Sequence, residues 1–322
     1  MVRRLEPYLK LSIVIPVYNE EENLQNLQKQ LQESLAIVAA DYEIIYIDDG
    51  STDKSYDVLA KLAADDTRVK VIRFRRNYGQ TAAMAAGIDF ASGQIIVPLD
   101  ADLQNDPKDI PLLVAKIEEG YDIVSGWRKN RQDDLTKTLP SKVANKLISL
   151  VTGVRLNDYG CSLKAYRSDL IKQVRLYGEM HRFIPALAVL EGAKIAEVPV
   201  AHHPRIAGKS KYGLSRTFKV FLDLITVKFL LGYLRKPMYF FGFVATFASL
   251  CSLAVIVLTI VDIGFSLGYI QLVIGLIFAV IFFFLAIMFV MMGLLAELLV
   301  RTYHESQGKK VYTIAKTINL VG

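Results

Sequence analysis

Asp100 and Asp102 stand one residue apart at the end of an apolar run, Ile95-Ile96-Val97-Pro98-Leu99. The run has the β-branched and aliphatic content of a buried strand, and Asn105-Asp106-Pro107 after it reads as a helix entry. In an open α/β sheet, ligands collect outside the carboxyl ends of the strands. Two carboxylates placed there can hold a hard divalent cation and, through it, a phosphate-bearing substrate. The same residues would also make an ordinary polar strand-to-helix turn, and the Asp-x-Asp spacing alone does not decide between the two. Three further acidic residues have comparable settings. Asp48 and Asp49 close the apolar run 42–47, and Asp158 lies in the polar segment 157–162 ahead of the short run 163–166.

Residues 11–18 read as the first strand, and Asn19-Glu20-Glu21-Glu22-Asn23 opens a helix with Leu24, Leu27, Leu31 and Leu35 on one face. Acidic residues there complement the helix N-terminus. Strands are predicted at 42–47, 69–74 and 94–99, with helices between them carrying Tyr56, Leu59 and Leu62 and then the alanine-rich stretch 80–90. A helix to residue 119, a strand at 121–126 and a polar loop at 127–137 follow, then a helix at 142–151, a strand at 163–166, a helix at 180–190 and a strand at 194–201. Strands alternating with helices of this length predict a doubly wound, mostly parallel α/β sheet. No Gly-x-Gly-x-x-Gly follows any strand, which argues against a dinucleotide-binding dehydrogenase.

Hydrophobic residues make up 52% of the 322, but they are unevenly spread, for residues 238–300 carry only Asp262 and Glu297 as charges. Residues 238–261 and about 270–297 each exceed the roughly 30 Å of hydrocarbon that a helix must cross, so a hairpin of two transmembrane helices is expected. Before it, Leu214, Phe218, Phe221, Leu222, Ile225 and Phe229 recur at helical spacing among Arg216, Lys219 and Lys228, the pattern of an amphipathic helix in a membrane interface. The expected organisation is a catalytic domain at 1–212, a juxtamembrane region at 213–236, two spans within 237–300 and a tail at 301–322. Lys228, Arg235 and Lys236 flank the first span and Arg301, Lys309 and Lys310 the second, while 262–269 has no Lys or Arg. The positive-inside rule then puts the domain and both termini in the cytoplasm, at a plasma membrane. The net charge of +6 beside such spans points to anionic headgroups or phosphates before nucleic acid. Cys161 and Cys251 show neither pairing nor metal-ligand spacing, which suits a reducing compartment. Residues 1–7 have no apolar signal core, so no secretory leader is expected. Residues 310–315 alternate enough for a strand, which would permit pairing with another protomer.

Ser12-Ile13-Val14-Ile15-Pro16-Val17-Tyr18-Asn19-Glu20, Asp48-Asp49-Gly50-Ser51-Thr52-Asp53 and Asp100-Ala101-Asp102 occur in order, each at a strand end. Together they resemble glycosyltransferase family 2, whose catalytic domains have the GT-A fold. Arg76-Asn77-Tyr78-Gly79-Gln80, Asp158-Tyr159-Gly160-Cys161-Ser162, residues 205–212 and the two spans resemble its polyisoprenyl-phosphate subgroup, which includes dolichol-phosphate mannose synthases and GtrB-type glucosyltransferases. The resemblance implies transfer of a hexose from a nucleotide sugar to a polyprenyl phosphate, with inversion if displacement at C1 is direct. It implies Asp102 and Asp100 as ligands of Mg²⁺ or Mn²⁺, an oxygen-only choice, and as catalytic residues with Asp158. Pro16, Tyr18, Glu20, Asp49, Asn77, Gly79, Gln80 and Gln104 match donor-site positions, with Asp49 on the base and Asp53 structural. The acceptor phosphate would meet Arg128, Arg131, Arg205, Ser210 and Lys211, since Arg suits bidentate phosphate contacts. His202 and His203 read as structural.

Asp158 matches a position often treated as a base. A phosphate monoester, however, has its second pKa near 6 and is largely dianionic at neutral pH. Orienting the acceptor or binding sugar hydroxyls is the alternative role. For the sugar, glucose from UDP-glucose is expected from the GtrB-like organisation, with mannose from GDP-mannose or aminoarabinose as alternatives. A processive polysaccharide synthase would carry a Gln-x-x-Arg-Trp motif and more spans; the one tryptophan is Trp127 in Gly-Trp-Arg. A non-catalytic lipid-binding scaffold is the remaining alternative, and the four intact carboxylates Asp49, Asp100, Asp102 and Asp158 oppose it. Homo-oligomers through the spans and tail are compatible with all of these readings.

Overall fold

A computed structural model describes residues 10–38, 41–129, 145–174, 176, 180–189, 191–204, 222–229, 239, 242–244, 246–247, 250, 253–254, 270–306 and 310–320. The chain divides into two compact units, Met1–Leu224 with Lys310–Gly322, and Ile225–Lys309.

The first unit is built on an eight-stranded sheet in the order β7-β5-β6-β4-β1-β2-β3-β8. The strands are β1 (Leu11–Val17), β2 (Tyr42–Asp48), β3 (Val69–Phe74), β4 (Ile95–Pro98), β5 (Ile123–Trp127), β6 (Lys164–Arg167), β7 (Ile195–Pro199) and β8 (Ile314–Ile318). β1 and β2 are almost wholly buried, as strands covered on both faces must be, which is why they read as continuous apolar runs. Parallel ladders join β1 to β2, β1 to β4, β2 to β3 and β5 to β7. The expectation of a mostly parallel sheet holds for these; β6 runs antiparallel between β4 and β5, and β8 antiparallel on β3.

The helices α1 (Leu24–Leu35), α2 (Ser55–Asp65), α3 (Gln80–Phe90) and α4 (Ile110–Glu118) lie where the apolar spacing predicts them. The four leucines of the α1 face are all buried. α3 buries most of its length, and its small residues let it approach the sheet closely. A Cβ on Gly87 would sit 2.1 Å from Val14 Cγ1, so any larger residue would push the helix off β1.

These directions decide where the chemistry lies. β6 opposes both β4 and β5, so β4 and β5 point the same way, and so do β1, β2, β3 and β7. The carboxyl ends of all six therefore share one sheet edge, and the amino ends of β6 and β8 meet them there. Residues 18–20, 48–53, 75–80, 99–105, 127–129, 158–163, 200–204 and 311–313 collect at that edge.

The tail strand forms a little later than the alternation suggests, at Ile314–Ile318, and it pairs with β3 of the same chain. Alternation shows that a strand can form but carries no information about its partner. In the second unit one helix covers Ile270–Ser306, and within it residues Leu276–Ala296 are long and apolar enough to cross a membrane. Phe282, Phe289 and Leu299 on this helix are among many large apolar side chains left exposed. Most of the first expected span lies outside the described residues; those described within it are helical. Of the amphipathic stretch only 222–229 is described, again as helix, with Leu224, Val227 and Phe229 buried.

Candidate active site

The end of β2 is fastened to the end of β3 through Asp49. Its Oδ1 accepts the backbone N–H of Tyr78 at 2.7 Å and its Oδ2 that of Gly79 at 2.9 Å. Asn77 Nδ2 donates to the Asp49 carbonyl at 3.3 Å. Gly50 makes the close approach feasible: its φ is +69°, and a Cβ would lie 2.5 Å from the Arg76 carbonyl carbon. Burial pushes the Asp49 carboxyl up to about 6, against the opposing pull of the two amides and with a push from Asp48. Asp48, fully buried, accepts the Ser51 N–H at 2.9 Å and pairs with Arg73 at 3.2 Å. Asp49 thus accepts two of the protein's own amides and clasps the 76–79 loop, which leaves lone pairs for the base contact expected of it.

The β1 end is tied to the same turn. Asn19 adopts φ +54°, a conformation asparagine tolerates. Its Oδ1 accepts the Thr52 N–H at 2.8 Å and its N–H donates to Ser51 Oγ at 3.0 Å. Glu20 donates its N–H to Ser55 Oγ and accepts from Asn23 Nδ2 at 2.7 Å. Asp53 caps the turn, accepting from the amides of Ser55 and Glu21, which matches its expected structural role. Pro16 and Tyr18 are half-buried on either side of Val17. An open cleft of about 460 Å³ borders this turn, lined by Gly50, Ser51, Arg73, Phe74, Arg75, Ala315 and Lys316.

Gln80, the first residue of α3, donates from Nε2 to Asp100 Oδ1 at 2.8 Å. Asp102 is buried, and its Oδ1 accepts the Gln104 N–H at 3.2 Å. Leu103 between them has φ +60°, an uncommon conformation for leucine that the surrounding turn imposes. Among the described residues no group of three or more His, Cys, Asp and Glu is arranged to hold a metal. Cys161 is buried, and burial pushes its thiol up to about 11. Asp100 and Asp102 offer carboxylate oxygens at this turn, the ligand type that suits Mg²⁺ or Mn²⁺ when water and substrate phosphates fill the remaining positions. One hydrogen bond from Gln80 is compatible with this, since a carboxylate has about four lone-pair sites.

On the other side of the turn, Asn105 Nδ2 donates to Ser162 Oγ at 2.7 Å, joining the acidic loop to the 158–162 segment. Asn105 also forms an isolated antiparallel bridge with His202, and the His203 N–H donates to the Gln104 carbonyl at 2.8 Å. These histidines dock the strand after β7 against the acidic turn, a structural part as expected. Asp158, also buried, receives Arg128 Nε on Oδ2 at 2.7 Å and Nη2 on Oδ1 at 2.9 Å. Its N–H donates to Glu197 Oε1 at 3.0 Å. Buried Lys164 gives its ammonium to the carbonyls of Cys161 and Tyr159, fixing the turn that carries Asp158.

The structure thus gathers Pro16, Tyr18, Glu20, Asp49, Asn77, Gly79, Gln80, Asp100, Asp102, Gln104, Arg128 and Asp158 at one sheet edge. Arg131, Arg205, Ser210 and Lys211 lie outside the described residues. Three contributors escape the sequence reading. Asn19 ties the β1 end to the 51–52 turn, and Lys164 holds the carbonyls of the turn before β6. His181 is buried against Thr81, with Nδ1 2.7 Å from Oγ1, and burial lowers its pKa to about 3, leaving a neutral ring that steadies the start of α3.

Comparison with known proteins bears on this arrangement directly. Residues 12–175 match the family model for glycosyl transferase family 2. The chain belongs to that family. It is 41% identical over 319 residues to a dodecaprenyl-phosphate galacturonate synthase of Rhizobium johnstonii, covering 95% of this chain and 92% of the relative. It is 37% identical over 314 residues to an undecaprenyl-phosphate 4-deoxy-4-formamido-L-arabinose transferase of Klebsiella pneumoniae, covering 97% of this chain and 94% of the relative. Among solved structures, glucosyl-3-phosphoglycerate synthase of Mycobacterium tuberculosis, in complex with Mn²⁺ and UDP-glucose, superposes with a TM-score of 0.55 at 18% identity, covering 69% of this chain and 79% of that one. Mannosyl-3-phosphoglycerate synthase of Rubrobacter xylanophilus gives 0.56 at 17% identity, covering 71% and 78%. At these identities the structural likeness shows the fold, the GT-A-like mixed sheet, and the family makes the protein a glycosyltransferase.

Proposed function

We propose that this glycosyltransferase moves a sugar from a nucleoside diphosphate donor to the phosphate of a membrane polyprenyl lipid. The observation that carries the reading is similarity along nearly the whole chain to two relatives, both named for transfer to a polyprenyl phosphate. The site supplies parts that suit such a reaction. The 76–80 loop, clasped by Asp49, borders the donor, and Gln80 sets the orientation of Asp100. Asp100 and Asp102 would hold a divalent cation, which when bound offsets charge on the departing diphosphate as a Lewis acid.

The acceptor phosphate arrives already dianionic, so it needs guidance past repulsion more than it needs a base. Asp158 serves that need through Arg128, holding the planar guanidinium with a bidentate grip at the same sheet edge as the donor turn. Arg131, Arg205, Ser210 and Lys211 complete the acceptor side. Direct attack at C1 then inverts the anomeric configuration.

Neither relative is named for glucose, so the expectation of UDP-glucose gives way to a uronic acid or an amino-pentose as the preferred sugar. The domain works on the cytoplasmic face of a plasma membrane, anchored by two spans at about 238–261 and 270–297, behind an interfacial helix. The test is release of nucleoside diphosphate by the full chain in vesicles, across a panel of nucleotide sugars, with and without undecaprenyl phosphate. Release that depends on the lipid phosphate supports the reading. Release indifferent to the lipid, or none with any donor, would sink it in favour of a different acceptor or a scaffold.

A further inference from the structure

We infer that the C-terminal segment, residues 310–320, is a strap that sets the geometry of the donor loop, and that Tyr312 is the positioning residue through which it acts. The inference rests on the donor-site reading above. β8 pairs with β3 from Val71↔Ile318 to Phe74↔Ile314, and the register shifts between Arg73 and Phe74, just where β3 gives way to the loop. The Arg75 N–H donates to the Thr313 carbonyl at 3.1 Å, extending the pairing one residue into the loop.

Tyr312 then reaches across to the helix that follows the loop. Its buried ring stacks on Phe74 with centroids 5.0 Å apart and planes 15° from parallel. Its hydroxyl donates to Asp89 Oδ2 on α3 at 2.8 Å. Lys310 adds an ion pair to the same carboxylate at 3.4 Å and lies over the Phe90 ring at 4.6 Å. Phe74 in turn meets Tyr78 edge-on at 5.7 Å. At the far end, Asn319 Nδ2 donates to the carbonyls of Ala63 and Val69 at 2.6 and 2.9 Å, anchoring the strap on α2 and the start of β3.

One side chain therefore links the strand before the loop to the helix after it. Between those two supports lie residues 75–79, whose amides at Tyr78 and Gly79 hold Asp49, and then Gln80, which holds Asp100. A short connection keeps one shape when both ends are fixed, and the aromatic stack adds rigidity beyond its buried area. With the strap loosened, the loop would sample other shapes and ordering it would fall to the donor. The contacts of the strap fall on α2, β3, the loop and α3, so its influence is expected on donor binding more than on the chemical step.

The experiment uses the full chain in vesicles, with the nucleotide sugar that turns over as the varied substrate. Tyr312→Ala should raise the KM for that donor about tenfold while kcat stays within about twofold. Hydrogen exchange should quicken at the amides of 75–79 and stay unchanged in β1 and β4. Tyr312→Phe keeps the stack and loses only the Asp89 bond, so it should raise KM about two- to threefold. Wild-type KM and wild-type exchange at 75–79 in a folded Tyr312→Ala protein would overturn the inference. If Tyr312→Ala does not fold, Tyr312→Phe and Asp89→Ala decide it, and unchanged KM in both overturns it. Unchanged donor KM in Asp49→Asn and Gln80→Ala as well would instead remove the donor-site reading on which the strap depends.

Discussion

The Asp158 carboxylate and the Arg128 guanidinium face each other as a fork on a fork, Nε to Oδ2 at 2.7 Å and Nη2 to Oδ1 at 2.9 Å. The two residues are thirty positions apart in the chain and meet because β5 ends where the segment before β6 begins. A carboxylate engaged in this way is suited to hold a cation in place. Asp158→Asn keeps the shape but loses the charge and one acceptor, so Arg128 should lose its fixed orientation. Turnover is expected to fall on the order of a hundredfold, the cost of misplacing a positioning group, with donor KM little changed. Arg128→Lys should not restore the function, because an ammonium cannot reproduce the bidentate geometry. Single-turnover kinetics with varied lipid phosphate would check both, and near-normal turnover in Asp158→Asn would remove it from the site.

Asp49 supplies a pH dependence. Its two oxygens accept two amides only as a carboxylate, and burial holds its pKa at about 6. Donor KM should rise as pH falls below about 6, when protonation removes an acceptor from the clasp. The stability effect has the opposite sense. With a folded pKa raised from 3.8 to about 6, this group stabilises the fold at low pH and loses that contribution as pH rises through 6. In Asp49→Asn both dependences should flatten, measurable as donor KM and as melting temperature between pH 4 and 7.

Legibility in the sequence followed from how local each cause is. β1, β2, β3 and α3 came out nearly to the residue because their apolar content and terminators are local signals. The antiparallel course of β6 and the return of β8 to its own β3 depend on partners over sixty and over two hundred residues away, which periodicity does not encode. The same division applies to the site. Asp49, Asp100 and Asp102 announce themselves at strand ends, whereas the grip of Asp158 on Arg128 and of Gln80 on Asp100 arises only when separate strand ends converge. His181 gave no signal at all, since its role is a single buried hydrogen bond to Thr81.

The metal reading predicts a graded series. Gln80→Ala removes the hydrogen bond that orients Asp100, a charge-assisted contact of roughly 1.5–3 kcal/mol. The concentration of Mg²⁺ or Mn²⁺ giving half-maximal rate should therefore rise about tenfold, with the rate recovered at high metal. Asp102→Asn should not recover at any accessible metal concentration. Metal titrations of the three proteins after treatment with a chelator would show the series, and an undiminished rate in the chelated wild type would contradict it.

Glu43 gives a prediction about the scaffold, at the sheet edge away from the site. It is buried at the start of β2, where Ser12 Oγ donates to it at 2.5 Å, Ser92 through N–H and Oγ at 2.7 Å each, and Lys70 through its ammonium. Burial alone would raise its pKa, but these hydrogen bonds outweigh it and hold the carboxyl at about 2. The sign is that of a depressed carboxylate: its stabilisation is present above about pH 4.5 and is lost as pH falls towards 2. Glu43→Gln should cost roughly 3 kcal/mol at neutral pH, the lower end for a broken buried pair because Lys70 is partly exposed. Urea unfolding at pH 7 and pH 3 should show the difference shrinking at the lower pH.

The most direct test of the account is mass spectrometry of the lipid after the full chain, in vesicles with Mg²⁺, has met undecaprenyl phosphate and a mixture of nucleotide sugars. The account predicts one new species, the mass of the lipid phosphate plus a single glycosyl residue, absent from the Asp102→Asn protein. An unmodified lipid phosphate, despite consumption of a nucleotide sugar in the same vesicles, would contradict it.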